Sequence, residues 1–141
     1  MLAAACAALD RKKLTLVAAS PVIESVPVGP SQRRYANGAA VIATRLKPRA
    51  LLKRLKRIER YFGRRPGGPR WAARVLDLDI VLWSGGAFAA PGLIIPHPLF
   101  RTRNFVLRPA VAIAGQWRDP LTRLSVRHLH ARLTRPRPLR R

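Results

Sequence analysis

The chain has 141 residues, 48% of them hydrophobic, and sets 28 Lys and Arg against six Asp and Glu, for a formal net charge of +22. That length suits one domain, and that apolar content supports a core, which excludes global disorder. A single cysteine, Cys6, excludes an internal disulfide framework and fits a reducing cytoplasm, and no apolar run reaches the ~18–20 residues that cross a bilayer.

Residues 1–9 read as a helix fragment. The positive charges follow it at Arg11, Lys12 and Lys13, the reverse of a signal peptide. Residues 13–20 alternate around Leu14, Leu16 and Val17 and predict a strand that Ser20-Pro21 interrupts. Residues 25–32, with Pro27, Gly29 and Pro30, predict a loop. Residues 35–44 are small and β-branched and predict a strand, strongest at Val41-Ile42. Pro48 opens a helix, with Leu51, Leu52, Leu55, Ile58 and Phe62 in one stripe and Gly63 as its stop. Residues 64–73 form a loop rich in Gly, Pro and Arg. Residues 75–83 predict a strand, Ser84-Gly85-Gly86 a turn, and residues 87–95 its hairpin partner. Pro96-His97-Pro98 is expected to be rigid and extended, and residues 104–107 a short apolar piece before Arg108-Pro109. Residues 125–133 predict a helix capped by Ser125, and residues 134–141 a frayed basic tail. The mixed order favours an α+β domain over residues 1–133 with a mostly antiparallel sheet.

The chemistry concentrates at Asp77 and Asp79, inside the most apolar run of the chain. On a strand they share one face, while Leu76, Leu78 and Ile80 share the other. Two carboxylates on a mostly buried strand are costly unless a cation neutralises them, and hard oxygen ligands suit Mg²⁺, which usually arrives with phosphates. Arg64, Arg65, Arg70 and Arg74 fall in the thirteen residues just before the pair. Guanidinium groups on a Gly-containing loop beside a metal strand are what phosphoryl transfer needs, since they grip phosphate oxygens in a bidentate manner. Trp71 can stack on a flat ring, and His97, held between prolines, can donate to a phosphate oxygen. His128 and His130 read as structural. There is no P-loop and no Gly-x-Gly-x-x-Gly. A second reading, a basic nucleic-acid-binding protein, follows from the charge and the Arg-rich tail. It ranks below the first, because surface charge does not account for acids inside the most apolar strand.

The stretch from Gly63 to Ile80, with its core Arg70-Trp71-Ala72-Ala73-Arg74-Val75-Leu76-Asp77-Leu78-Asp79-Ile80, resembles the signature of the 6-hydroxymethyl-7,8-dihydropterin pyrophosphokinases. Supporting matches are Pro27-Val28-Gly29-Pro30, Tyr35-Ala36-Asn37, Arg57-Ile58-Glu59, Pro96-His97-Pro98 and Arg103-Asn104-Phe105-Val106-Leu107. The resemblance runs from about Leu2 to Leu133. It implies a ferredoxin-like sandwich and transfer of the β,γ-diphosphate of ATP to the pterin hydroxymethyl group, releasing AMP, in folate biosynthesis. It further implies that Asp77 and Asp79 hold two Mg²⁺ ions and that Arg64, Arg70 and Arg74 belong to a mobile catalytic loop. Glu59, Ile80, His97 and Arg103 fall to the nucleotide site; Asn37 reads the pterin edge, with Tyr35, Trp71 and Phe105 as aromatic walls. A monomer that meets nucleic acid only non-specifically, and no membrane, is expected. The family begins with a strand ending in Gly-Ser-Asn; that motif does not occur here, so the physiological start is expected upstream of Met1. Pro66 stands where the family often has a basic residue, a place Arg65 can fill.

Overall fold

The computed structural model describes residues 2–25, 35–63 and 76–136. Helix α1 (Leu2–Leu9) leads into four strands: β1 (Leu14–Ala19), β2 (Ile23–Ser25), β3 (Tyr35–Asn37) and β4 (Ala40–Thr44). Helix α2 (Pro48–Gly63) follows, then strands β5 (Phe88–Ala90) and β6 (Leu93–Ile95). A 3-10 turn (Phe100–Thr102), helix α3 (Asn104–Ala114) and helix α4 (Val126–Thr134) complete the order. All three strand pairs, β1 with β4, β2 with β3 and β5 with β6, are antiparallel. The fold is therefore α+β.

The strand predicted over residues 35–44 is broken into β3 and β4 at Gly38-Ala39. The break faces the Ser20-Pro21 interruption. Ser20 donates its N–H to the Ala39 carbonyl and its Oγ accepts the Ala39 N–H, both at 2.8 Å. The two interruptions thus lie side by side, and these bonds satisfy backbone groups of Ser20 and Ala39 there.

The α2 pattern holds from Pro48 to Gly63. Leu55 and Ile58 are buried, with Leu51 and Phe62 partly so, against Ala5, Leu9, Leu14, Ile42 and Leu76. Lys53, Arg57 and Arg60 stay exposed. This cluster forms because a 3.6-residue period puts the apolar side chains on one stripe.

Three expectations are corrected. Residues 76–83 form no strand, although the alternation within residues 76–80 is as predicted: Leu76 is buried, Leu78 and Ile80 are half-buried, and Asp77 and Asp79 are exposed. A strand needs a neighbouring ladder. Here the Leu78 N–H goes to the Glu59 carboxylate at 2.7 Å, and the Val81 carbonyl accepts from the His97 N–H at 3.0 Å. The second correction concerns the hairpin. Residues 88–95 pair with themselves, Phe88 opposite Ile95. Pro91-Gly92 makes the turn, with Gly92 at φ 78°, a conformation that costs a Cβ-bearing residue steric strain. The 84–86 turn exists, closed by the Gly86 N–H to the Trp83 carbonyl at 3.0 Å, but joins no hairpin.

Third, residues 104–107 are only the first turn of α3, which continues through Pro109 to Ala114. Proline removes one helical donor. Burial outweighs that loss: Leu107 and Pro109 are both buried, and Phe100, Leu107, Val126 and Leu129 form a second core between α3, α4 and the 3-10 turn. Helix α4 starts as predicted, with the Ser125 Oγ accepting the His128 N–H at 3.0 Å. The segment after α2 serves both cores. Leu76, Leu78 and Ile80 join the first, and Val81 and Leu82 join the second.

Candidate active site

Asp77 and Asp79 project to solvent from one side of residues 76–80, opposite the leucines. Because both are exposed, burial does not itself demand a cation, and that part of the sequence argument is corrected. What remains is a pair of hard-oxygen donors sharing a face that is open to approach. Among the described residues, no group of three or more His, Cys, Asp or Glu converges as a metal cage. Mg²⁺ commonly binds through one or two carboxylates, completing its shell with phosphate and water. The pair fits that mode.

Glu59 lies under this segment. It is buried on α2 at 9% exposure, and its carboxylate holds the Leu78 N–H, the amide between the two aspartates. Lys56, one turn earlier, places its Nζ 3.3 and 3.2 Å from Oε1 and Oε2. Ile80 turns its side chain into the core beside Leu76 and Leu78.

His97 is tied to the same segment by its N–H to Val81. It does not sit in an extended piece: the Phe100 N–H donates to the His97 carbonyl at 3.2 Å, making a turn. His97 Nδ1 accepts the Leu99 N–H at 3.2 Å. In the neutral ring the proton therefore sits on Nε2, which becomes the donor. Arg103 is half-buried at the N-cap of α3, its guanidinium 5.6 Å from the centre of the Phe105 ring. Phe105 is 41% exposed, high for a phenyl group in a first helical turn. A flat exposed ring next to a cation can take a second flat ring on its face.

Asn37 is half-buried at the end of β3, across from Ile23. Helix α3 lies against β2, β3 and β4, which brings the element bearing Phe105 to the strand bearing Asn37. Arg64, Arg70, Trp71 and Arg74 lie outside the described residues, as does the side chain of Tyr35. The structure thus joins Asp77, Asp79, Glu59 and His97 through residues 76–81, and Asn37, Arg103 and Phe105 through α3.

One pair escaped the sequence reading. Asp119, fully buried, accepts from Arg101 Nε at 2.5 Å and Nη2 at 2.8 Å, from Thr122 Oγ1 at 2.7 Å and from the Leu121 N–H at 3.0 Å. The Arg101 hydrogen bonds, helped by those from Thr122 and Leu121, outweigh burial and hold its carboxyl down to about 2. The bond to Asp119 in turn raises Arg101 further. This fork fixes the 3-10 turn, between His97 and Arg103, to the α3–α4 connection. The signal was available: a rare acid in a basic chain, at the head of the turn sequence Asp119-Pro120-Leu121-Thr122. His130 Nε2 lies 3.2 Å from Asn104 Oδ1, linking α4 to the start of α3.

A family model for 7,8-dihydro-6-hydroxymethylpterin-pyrophosphokinase matches residues 1–115. The 2-amino-4-hydroxy-6-hydroxymethyldihydropteridine pyrophosphokinase of Pseudomonas aeruginosa is 42% identical over 106 residues, covering 74% of this chain and 65% of that protein. The protein of the same name from Haemophilus influenzae is 42% identical over 101 residues, covering 71% and 62%. A folate synthesis bifunctional protein of Arabidopsis thaliana is 43% identical over 84 residues, covering 60% of this chain and 17% of its own. The chain spans less than two thirds of the length of these relatives. The match over residues 1–115 places the chain in the 7,8-dihydro-6-hydroxymethylpterin-pyrophosphokinase family.

Proposed function

We propose that this protein transfers the β,γ-diphosphate of ATP to the hydroxymethyl group of 6-hydroxymethyl-7,8-dihydropterin, releasing AMP, as a step of folate biosynthesis. The observation that carries the reading is the solvent-facing Asp77/Asp79 pair on a segment hydrogen-bonded to His97. Family membership and the names of the relatives support it. So does the strand-and-helix composition, which is compatible with a ferredoxin-like sandwich.

In this reading Asp77 and Asp79 are the residues that would hold two Mg²⁺ ions beside the triphosphate. Bound there, Mg²⁺ would supply charge neutralisation for the transferring phosphates. The chain's own groups do the rest. His97 donates from Nε2 to a phosphate oxygen, and its ring is already oriented by the Leu99 amide. Arg103 adds a positive charge at the N-terminus of α3, where helix dipole and free N–H groups also favour an anion. Arg64, Arg70 and Arg74 close over the transferring group and exclude water. Ile80 meets the nucleotide through its main chain, since its side chain is in the core. Asn37 offers a donor and an acceptor to the pterin edge, with Tyr35, Trp71 and Phe105 against its faces. The protein acts as a monomer.

The deciding measurement is AMP release. It should require Mg²⁺ and 6-hydroxymethyl-7,8-dihydropterin together. AMP formation without the pterin, or none with both present, rejects the assignment.

A further inference from the structure

We propose that Glu59 is a positioning residue: its carboxylate fixes the backbone between Asp77 and Asp79 so that both present the same face to a divalent cation. The inference rests on the diphosphotransfer reading only for the purpose of that cation. Residues 76–80 alternate like a strand but belong to none among the described residues. The usual source of rigidity for such a pattern, a ladder on each side, is replaced here by a side chain. Glu59 Oε1 accepts the Leu78 N–H at 2.7 Å, a short, charge-assisted bond. The amide it takes belongs to the residue between the two aspartates. A slip of one residue there would turn Leu78 outward and both carboxylates inward.

The anchor itself is stiff. Glu59 is 9% exposed, next to Ile58 at 7%, and Ile58 and Leu55 share a cluster with Leu76 and Leu78. Lys56 sits 3.2 Å from Oε2, balancing the charge that burial would otherwise penalise. Both carboxylate oxygens thus have partners inside the chain. That arrangement favours action through the backbone over contact with the nucleotide.

The test uses the full ¹⁵N-labelled chain and Mn²⁺ as the probe. Two quantities are read: hydrogen exchange at the Leu78 amide, and the Mn²⁺ midpoint for paramagnetic broadening of the amides of residues 77–80. Glu59→Ala should speed Leu78 exchange and raise the Mn²⁺ midpoint, each by about tenfold, as loss of one charge-assisted bond implies. Glu59→Gln keeps a carbonyl acceptor and should stay within about threefold of wild type. Glu59→Asp keeps the charge but loses the reach, so it should follow the alanine variant, and it serves if alanine prevents folding. The proposal is overturned if wild type shows no broadening, if the midpoint stays put while Leu78 exchange accelerates, or if Glu59→Asp matches wild type. A shifted Mn²⁺ midpoint in protein that binds no Mg²⁺-ATP in any form would reject the diphosphotransfer reading and uphold the positioning role.

Discussion

Asp77 and Asp79 differ from Asp119 in environment, and under the proposed function that difference divides a role in turnover from a role in stability. The first two are exposed; the third has no exposed surface and a forked guanidinium partner. Asp77→Ala should therefore leave the thermal unfolding curve nearly unchanged. Turnover should fall by about 10³-fold, about 4 kcal/mol of barrier, in an AMP-release assay. Equal activity would remove the pair from the mechanism. Asp119 works the other way. Its carboxyl lies at about 2 in the folded chain against an ordinary value of 3.8. A depressed folded value gives stability that is whole above about pH 4 and drains as pH falls towards about 2. The amount is about 2 kcal/mol. Urea midpoints at pH 5 and pH 2.5 should diverge in wild type and draw together in Asp119→Asn.

Among the elements, α4 depends on its first residue. The Ser125 Oγ satisfies one of the amides that a helix start leaves open. Ser125→Ala should lower the denaturation midpoint by the equivalent of about 1 kcal/mol, with a normal melting curve shape. Elements of this kind were legible in the sequence. The α2 stripe, the Ser125 cap and the Ser20-Pro21 break each announce themselves within a few residues. The Asp77/Asp79 alternation was legible too, because side-chain direction is local. Its lack of a ladder was not, because pairing depends on residues far along the chain. Pro91-Gly92 outcompeted the earlier Gly85-Gly86 turn for the hairpin, a choice between two local signals that tertiary packing decides. Pro109 hid most of α3, since the penalty is local and the compensating burial of Leu107 is not. The partnership of Asp119 with Arg101 joins positions eighteen apart and had no local trace beyond a turn-forming Asp-Pro. The loop arginines and Trp71, the most specific part of the resemblance, lie outside the described residues.

For the whole molecule, the charge of +22 has its own consequence. So basic a surface attracts polyanions regardless of what the site does. Binding of duplex DNA should weaken steeply and linearly on a logarithmic salt scale, and Asp77→Ala should not alter the slope. A slope that changes with that substitution would tie nucleic acid to the carboxylate face. Few acids offset this charge, and among the described residues Asp10, Glu59 and Asp119 each hold a group of the chain itself. Asp10 takes the Leu16 amide, Glu59 the Leu78 amide and Asp119 the Arg101 fork.

Residues 76–82 lend apolar side chains to one cluster and then, two residues after Asp79, to the other. Ligation there would act as a rivet through two plates. An ion held only by native protein adds about 2.7 kcal/mol when its concentration is a hundred times its dissociation constant. Calorimetry with rising magnesium should then show one endotherm moving upward intact. Two endotherms parting company would mean that the halves come undone separately.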